Sequence, residues 1–368
     1  MTRKQKLLGC NWYLISIILL IFSFFLIGCN NSPNGSHTQK KQDTKVITDC
    51  VGRKVEVPVN PQRIACLCPE GGQFLTLYGQ GDKIVATTDG MQRDVLLMEM
   101  YPHIKGLPIP KKSGVINIEE LIDAKPDLVF VKKETTSNEA EMEKLQKTGI
   151  PVVALEYMNM EEQKYALQMV ASILNTEEEC QRYLDFYQRM ISTVQERVAQ
   201  LPEEEKVTIY HAVKEATRTD AAGSMAADWT KAAGVINVSV GEELKFLDGD
   251  YYASLEQILL WDPDYILVND PNVVGYIMNH EQWRPLQAVK KNRVLPLPNG
   301  LSRWGHPSSV ETPLAIIWTA STVYPELFED IDMKAITRDF YAEFFDWQLD
   351  DASIARILSS QGMRNDKV

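Results

Sequence analysis

Two stretches of the chain carry the same order of apolar and polar positions. The stretches 117-NIEELIDAKPDLVFV-131 and 254-SLEQILLWDPDYILV-268 share Glu, Pro, Asp and the final Val in matching columns. In each, a side chain suited to N-capping (Asn117 or Ser254) precedes an apolar stripe with helical spacing. A proline then prevents the helix from continuing, and four apolar residues in a row are typical of a buried strand. The repeat therefore predicts a capped helix, a turn and a strand in each of two similar α/β lobes.

The remaining apolar runs extend this pattern into two predicted sheets. Residues 46–69 indicate a hairpin followed by a buried strand, and further strands are predicted at 83–88, 150–155, 206–213 and 292–298. Helical segments separate these strands, and the alternation of β and α elements favours parallel sheets. The last predicted helix is amphipathic and contains 339-DFYAEFF-345.

A long helix is predicted between the two lobes. Residues 160–200 contain neither Gly nor Pro and keep a helical apolar period. A helix from about 177 to 201 would be about 37 Å long, enough to cross from one lobe to the other. The fold class is therefore α/β, with two lobes of parallel sheet joined by one bridging α-helix. The predicted boundaries are 46–158 for the N-terminal lobe, 159–204 for the helical segment and 205–368 for the C-terminal lobe.

The first residues have the pattern of a targeting segment. Arg3, Lys4 and Lys6 precede an apolar run at 12–27, which is shorter than the roughly 20 residues of a membrane span and is typical of a signal peptide. The run ends in 26-LIGC-29, which resembles a bacterial lipobox, so Cys29 is predicted to be lipidated. We therefore expect a signal peptide at 1–28, a polar tether at 29–45 and an extracytoplasmic, lipid-anchored body. An uncleaved membrane anchor is the alternative.

The charge of the chain excludes some partners. The 368 residues carry a net charge of −12, and removal of residues 1–28 takes away three positive and no negative charges, which leaves about −15. Nucleic-acid phosphates would be repelled by such a body, so a nucleic-acid partner is not expected. An anionic ligand would need a local basic pocket to overcome the global field.

The cysteines and histidines indicate neither catalysis nor a metal site. With Cys10 cleaved off and Cys29 lipidated, four cysteines remain. Buried free thiols, or one bridge involving Cys50, both fit their positions, the others being Cys66, Cys68 and Cys180. No CxxC, GxSxG, HExxH or Walker loop occurs, so an enzyme or redox protein lacks its motif. The five histidines have no spacing suited to bare zinc or manganese.

Four stretches occur in one order along the chain: 47-ITDCVGRKVEVPVNPQRIACLCP-69, the two repeats and 283-WRPLQAVKKNRVLPLP-298. This order resembles the periplasmic binding proteins of ABC importers for iron–siderophore, haem and vitamin B12, and the resemblance covers about residues 46–348. It implies two Rossmann-like lobes bridged by one long helix, a ligand held between the lobes and a small closure motion. It also implies an ABC permease dimer as partner, with a small-molecule metal complex as ligand and no resident cofactor. We expect the protein to be a monomer.

The resemblance gives the repeated glutamates a role. In the B12-binding members, one glutamate of each lobe docks on arginines of the permease, and the matching columns here hold Glu119 and Glu256. The alternative is purely structural, because a glutamate in the first turn of a helix gains about 0.3–1 kcal/mol from the helix dipole without any partner.

Residue chemistry, rather than the resemblance, indicates the ligand. Ligands of parallel-sheet lobes bind where loops follow the carboxyl ends of the strands. Those loops are predicted at 70–73, 87–93, 113–114, 132–133, 214–224, 250–252 and 302–306. An iron chelate or oxyanion would be bound by basic and aromatic side chains. The candidate ligand-binding residues are Arg303, Trp304, Arg218, Lys132, Tyr251, Ser113 and His306.

Each of these candidates also has a structural interpretation. Lys132 fits a solvated loop, Trp304 fits packing beneath its loop, and His306 fits a hydrogen-bonded bystander. Ser113 and Asp250 occupy columns that tend to be aromatic in B12 binders, which disfavours a corrin and favours an anionic iron complex or a small oxyanion such as molybdate.

The sequence therefore predicts a solute-binding lipoprotein that captures an iron complex, such as a ferric siderophore, and delivers it to an ABC permease. Cobalamin, haem or molybdate on the same architecture, and a ligand-sensing receptor partner, are the alternatives.

Overall fold

Each of the two sequence repeats supplies one inner strand of a four-stranded parallel sheet. The computed structural model describes residues 43–365, so the predicted signal peptide, Cys29 and most of the tether lie outside the described residues. Within this range, Asn117 and Ser254 cap their helices through the side chain, and the strands LVFV and YILV are buried as predicted.

Between residues 43 and 159, the structure contains eight strands and six α-helices. In chain order they are β1 (Thr44–Thr48), β2 (Lys54–Pro58), β3 (Ile64–Cys66), α1 (Pro69–Leu77), β4 (Ile84–Ala86), α2 (Asp89–Gln92), α3 (Val95–Met100), β5 (Lys111–Lys112), β6 (Val115–Ile116), α4 (Ile118–Asp123), β7 (Leu128–Lys132), α5 (Lys133–Ser137), α6 (Glu139–Lys147) and β8 (Val152–Leu155). The hairpin predicted before the first buried strand is β1–β2, an antiparallel pair.

Two long helices follow and lead into the C-terminal half. The elements are α7 (Met160–Leu174), α8 (Glu177–Val198), β9 (Thr208–Ala212), β10 (Arg218–Thr219), α9 (Met225–Ala232), β11 (Ile236–Asn237), β12 (Lys245–Leu247), β13 (Asp250–Tyr252), α10 (Leu255–Trp261), β14 (Tyr265–Val268), α11 (Pro271–Asn279), α12 (Gln287–Lys290), β15 (Val294–Pro296), α13 (Thr312–Val323), α14 (Met333–Phe345) and α15 (Asp351–Leu358). None of the helices between residues 43 and 365 is long and apolar enough to cross a membrane.

The two sheets have the same topology. The N-terminal sheet has the order β4-β3-β7-β8 and the C-terminal sheet β11-β9-β14-β15, so in each the second strand lies outside the first and the third and fourth lie on its other side. All pairings within both sheets are parallel, and Cys66 is opposite Phe130 as Ala212 is opposite Val268. The predicted α/β class with two parallel-sheet lobes is confirmed.

The structural repeat is longer than the sequence repeat, because a small hairpin precedes each capped helix. The β5–β6 turn uses Ser113 and Gly114, with φ of 50° and 83°, and the β12–β13 turn uses Asp248 and Gly249, with φ of 52° and 87°. Positive φ at both turn positions twists the strands as a tight hairpin requires. Ser113 therefore corresponds to Asp248, and the expected correspondence with Asp250 is wrong because the second hairpin is longer on the side that leads to its helix.

The predicted bridging helix is α8, which has 22 residues and is therefore about 33 Å long. Near its start, Cys180 lies beside the Tyr78 hydroxyl of the N-terminal lobe. At its end, Val198 packs against Gly234 of the C-terminal lobe, so closely that a side chain at Gly234 would collide with it. The helix thus spans both lobes, although it ends a few residues before the predicted position.

A buried seam joins the lobes at the segment 309–310, just before α13. Gln163 of α7 donates from Nε2 to the carbonyl of Ser309 (3.1 Å), and Tyr183 of α8 donates its hydroxyl to the carbonyl of Val310 (2.7 Å). The amide of Val310 donates to Oε1 of Gln73 in α1 (3.1 Å). Side chains from three helices therefore form hydrogen bonds with the backbone polar groups of this one short segment.

The C-terminal end of the chain returns to the N-terminal lobe. Two helices, α14 and α15, take the place of the single closing helix that the sequence predicts. Beyond them, the carbonyl of Met363 accepts from the amide of Val95, and the amide of Asn365 donates to the carbonyl of Arg93. We call residues 360–365 the C-terminal strap. The cysteines at 50, 66, 68 and 180 are free thiols.

The seam generates a stability prediction. Tyr183→Phe leaves the buried Val310 carbonyl without its hydrogen bond, so the free energy of unfolding should fall by about 1–3 kcal/mol. Tyr187→Phe is the matched control, because the Tyr187 hydroxyl lies 3.4 Å from Gln163 Oε1 and makes a weaker contact. Urea unfolding of the two variants measures the difference. Equal losses would show that the Tyr183 hydroxyl does not contribute to the seam.

Candidate functional site

A polar cleft of about 760 Å³ lies between the C-terminal lobe, residue Arg93 of the N-terminal lobe and the C-terminal strap. Its C-terminal wall consists of loops at the carboxyl ends of three parallel strands, where such folds bind ligands. Lys214 and Arg218 follow β9, Asn269 follows β14, and Arg303 and His306 follow β15. The shared strand direction therefore brings residues from three distant parts of the chain to one edge.

The opposite wall is formed by Arg93 and the strap. Arg93 follows β4 and lies between the short helices α2 and α3. Arg364 of the strap forms an ion pair with the buried carboxylate of Asp94. Burial raises the pKa of Asp94 to about 7, although Arg364 beside it acts to lower that pKa. The cleft is therefore closed on this side by a segment remote in sequence from the lobe that it contacts.

The charge of the cleft is positive against an acidic body. Its lining includes four arginines and one lysine but a single carboxylate, Asp270. Three of the arginines have acidic neighbours: Arg218 lies 2.5 Å from Asp250, Arg93 lies 3.2 Å from Asp89, and Arg364 pairs with Asp94. Arg303 makes no ion pair with any residue in 43–365. Burial and the adjacent Arg364 lower the pKa of Arg303, so an anion here would relieve an unfavourable environment.

His306 offers the cleft a neutral imidazole. Its enclosure, together with the charge of Arg303 and other cations, lowers the pKa of His306 to about 3. The amide of Ser308 donates to Nδ1 (3.2 Å), so Nδ1 is an acceptor and the single proton of the ring is on Nε2. His306 is therefore a hydrogen-bond donor and not an acid at neutral pH.

The loop that carries Arg303 is fixed from below. Gly305 has φ of 74°, and a side chain there would collide with the ring of Trp229. The carboxylate of Glu311 accepts from the amides of Leu301 (3.2 Å) and Ser302 (2.8 Å), and from the indole N–H of Trp304 (3.0 Å). Burial raises the pKa of Glu311 to about 7, while its hydrogen bonds from Tyr341 and the backbone act to lower it. This anchoring determines where the Arg303 guanidinium lies.

The cleft brings together three of the seven predicted ligand residues, Arg218, Arg303 and His306. Trp304 is fully buried beneath the loop, which matches its structural interpretation. Lys132 pairs with Glu70 at 3.0 Å and contributes its charge to the surroundings of His306. Two candidates lie elsewhere on the surface: Tyr251 packs against Phe246, and Ser113 is exposed at a hairpin tip.

Several residues that line the cleft were not among the sequence candidates. Arg93 and Lys214 lie in loops that the sequence assigned to the site, and their positive charge was the available signal. Asn269 directly follows the second repeat and could have been found by the same rule. Arg364 has no such signal, because its place depends on how the strap packs against the N-terminal lobe.

Two buried polar atoms of the cleft residues have no hydrogen-bond partner in the described structure: Asn269 Nδ2 and Ser360 Oγ. A buried polar group without a hydrogen bond destabilises the folded state unless a ligand or water bonds to it. Between residues 43 and 365 there is no cluster of three His, Cys, Asp or Glu side chains that could hold a metal ion. The donors of the cleft are suited to accept oxygen-rich anions.

A family model described as periplasmic binding protein matches residues 64–301 of this chain. The chain belongs to the periplasmic binding protein family. The family expected from the repeats is therefore confirmed, and this periplasmic binding protein is a solute-binding component for an ABC importer. Such proteins bind small molecules and work with permease components.

Two curated relatives cover most of this binding protein. The molybdate-binding protein MolA of Haemophilus influenzae is 25% identical over 326 residues, which is 82% of this chain and 91% of that protein. The iron(3+)-hydroxamate-binding protein FhuD of Bacillus subtilis is 23% identical over 342 residues, which is 88% of this chain and all of that protein (100%).

Solved structures show the same fold. The structure of MolA bound to molybdate has a TM-score of 0.73 at 23% identity and covers 83% of this chain and 99% of that one. The Helicobacter pylori CeuE nickel–histidine complex has a TM-score of 0.67 at 21% identity and covers 86% of this chain and 99% of that one.

The two repeated glutamates occupy equivalent exposed positions. Glu119 lies in the first turn of α4 and Glu256 in the first turn of α10, and both side chains are exposed. These helices begin at the same sheet edge as the cleft, because each precedes a strand that runs toward that edge. Their docking role remains a prediction.

The strap generates a prediction about Asp94. Arg364→Gln removes the cation that most lowers the pKa of Asp94, so this pKa should rise above about 7. Arg93→Gln should raise it less, because Arg93 has a smaller effect on Asp94. Carboxyl-carbon NMR titration of the three proteins measures the shift, and an unchanged pKa in Arg364→Gln would contradict the ion pair.

The same change alters stability in a defined direction. The folded pKa of Asp94 is above the ordinary value of 3.8, so its contribution to stability is present below pH 3.8 and lost as pH rises through about 7. In Arg364→Gln this loss should extend to higher pH.

Proposed function

We propose that this periplasmic binding protein captures an anion whose surface consists of acceptor oxygens. The observation that carries the proposal is the convergence of four guanidinium groups from both sides of one cleft. Guanidinium groups bind carboxylate-like and phosphate-like oxygens through paired N–H donors. The unpartnered Asn269 Nδ2 and Ser360 Oγ atoms and the neutral His306 ring add donors without adding charge.

A small oxyanion of the molybdate class is the first candidate ligand. Such an anion only accepts hydrogen bonds, which matches a lining of arginines, amide and hydroxyl groups. The relative MolA, which is named for molybdate binding, supports this candidate. Haem and cobalamin are disfavoured, because Phe, Tyr and Trp are absent from the described residues that line the cleft.

A negatively charged ferric chelate is the second candidate, and it is the ligand class that the sequence predicted. The volume of about 760 Å³ favours it, because a single tetrahedral oxyanion would leave most of the cleft to water. The relative FhuD, which is named for iron(3+)-hydroxamate binding, supports this class.

Delivery to a permease completes the proposal. Glu119 and Glu256 are proposed to contact basic residues of a two-fold permease, one from each lobe, since they occupy equivalent positions in the repeated fold. Cys29, which lies outside the described residues, is proposed to carry the lipid that holds the protein at the outer face of the membrane.

Ligand binding can be tested with a soluble form that begins after Cys29. Its intrinsic tryptophan fluorescence is titrated with molybdate, ferric citrate, ferric hydroxamate, haem and cobalamin. We expect saturable binding of an anion, and Arg303→Gln should weaken it about 10- to 100-fold because a buried charged donor is lost. Arg284→Gln, at an exposed site, is the matched control and should bind like the wild type. Absence of binding to every anion, or full affinity in Arg303→Gln, would refute the anion proposal.

Docking can be tested independently of binding. Glu119→Lys combined with Glu256→Lys should abolish uptake through the permease while ligand affinity stays unchanged. The control reverses the charge of two other exposed glutamates, Glu139 and Glu178, and should leave uptake intact. Uptake of radiolabelled ligand into vesicles is the measurement. Normal uptake by the first double variant would reject docking through Glu119 and Glu256.

A further inference from the structure

Beneath the cleft, three side chains form a buried chain of hydrogen bonds. His211 of β9 lies with Nδ1 2.5 Å from Oδ2 of Asp220 and with Nε2 3.0 Å from Oδ1 of Asn269. The exposed fraction of both His211 and Asn269 is 1%. Asn269 is the last member of the chain and lines the cleft. The cleft surface is therefore connected to an ionisable group that is itself shielded from solvent.

The bond to His211 occupies one end of the Asn269 amide and leaves the other end without a partner. With a proton on each ring nitrogen, His211 donates to Asp220 from Nδ1 and to the Asn269 carbonyl oxygen from Nε2. The amide nitrogen Nδ2 is then directed away from His211, and it has no partner among the described residues. The amide of Asn269 donates to the carbonyl of Ala212 (3.0 Å), so the backbone on which this side chain turns is fixed.

We propose that His211 is a positioning residue: its protonation determines whether Asn269 presents its N–H₂ group or its carbonyl oxygen to the cleft, and thereby couples anion binding to a proton. The proposal rests on the proposed function, because it assumes that the ligand is an anion. Neither His211 nor Asn269 is needed for the overall charge of the cleft, which the arginines supply.

The surroundings of His211 shift its equilibrium toward the protonated form. Burial lowers the pKa of His211, but Asp220 and the bond to Asn269 outweigh burial, and the net shift is upward. Within the described range 43–365, Asp220 is the charged side chain that raises this pKa. From α9, Trp229 packs edge-on against the ring with centroids 5.6 Å apart, and from the segment after β11 the neutral Ser239 hydroxyl donates to the Asp220 carbonyl (3.0 Å).

Loss of the proton has a definite consequence. Nδ1–H remains with the Asp220 carboxylate, so Nε2 becomes an acceptor, and the amide of Asn269 rotates to donate Nδ2–H to it. The carbonyl oxygen then faces the cleft and repels the oxygens of an anion. Because the folded pKa of His211 is raised, affinity should be full below that pKa and should fall as pH rises through it. Above the pKa, binding of one anion should take up one proton.

The experiment combines two readouts on the same soluble protein. Ring ¹⁵N NMR of ligand-free protein gives the pKa of His211, and the Asn269 side-chain amide signal should shift with the same midpoint. Titration with molybdate and with ferric citrate across pH 6–9 should show affinity falling by about tenfold or more through that midpoint. His211→Gln, whose amide can still donate to Asn269 Oδ1, should keep the low-pH affinity and vary less than threefold over this range.

The outcomes separate the two proposals. Binding with a flat pH profile while His211 titrates, or an unchanged pH profile in His211→Gln, would overturn the role of His211 and leave the anion cleft standing. Absence of binding by both probes would overturn the proposed function. In that case the NMR titration still tests the coupling between His211 and Asn269. If the Asn269 side-chain amide signal does not shift at the midpoint of the His211 titration, the proposed role of His211 is overturned.

Discussion

The position of the loop that carries Arg303 depends on how the backbone at 309–310 is held. Gln73, Gln163 and Tyr183 satisfy its polar groups from three helices outside the C-terminal sheet. The next residue is Glu311, whose carboxylate accepts hydrogen bonds from the loop that presents Arg303. Contact between the lobes and placement of the guanidinium are therefore one connected hydrogen-bond system. A large opening of the lobes would have to break these buried bonds, at a net cost of about 0.5–1.5 kcal/mol each.

The positive charge of the cleft arginines is only partly neutralised by acidic neighbours. A chain with a net charge of −12 would repel anions, and the cleft reverses the sign locally. Acidic neighbours keep three of its arginines in place without removing their spare donors. Arg303 forms no ion pair among residues 43–365 and loses hydration by burial, which lowers its pKa. A ligand therefore has most to gain at Arg303, while the paired arginines determine its orientation.

The sequence predicted those features that depend on short-range patterns. The repeat located one inner strand of each sheet, the Gly- and Pro-free segment located α8, and the strand-end rule led to Arg218, Arg303 and His306. It could not predict the strap, because residues 360–365 have no periodicity and are placed only by contact with Arg93 and Val95. The sequence also could not show whether the Trp304 indole lines the cleft or packs beneath the loop. An aromatic residue in a glycine-flanked loop fits either position, and the structure buries Trp304 fully.

The two lobes have the same topology in the repeated segments but contribute different residues to the cleft. Both have the same strand order, a tight hairpin and a capped helix that exposes one glutamate. A two-fold partner would require such equivalent surfaces. A single ligand at the seam cannot contact both lobes identically, because it has one orientation. The C-terminal lobe accordingly contributes three strand-end loops to the cleft. On the opposite side, the N-terminal lobe contributes Arg93 and the strap contributes Arg364. The loops that bind the ligand therefore differ between the lobes, whereas the sheets beneath them keep the same topology.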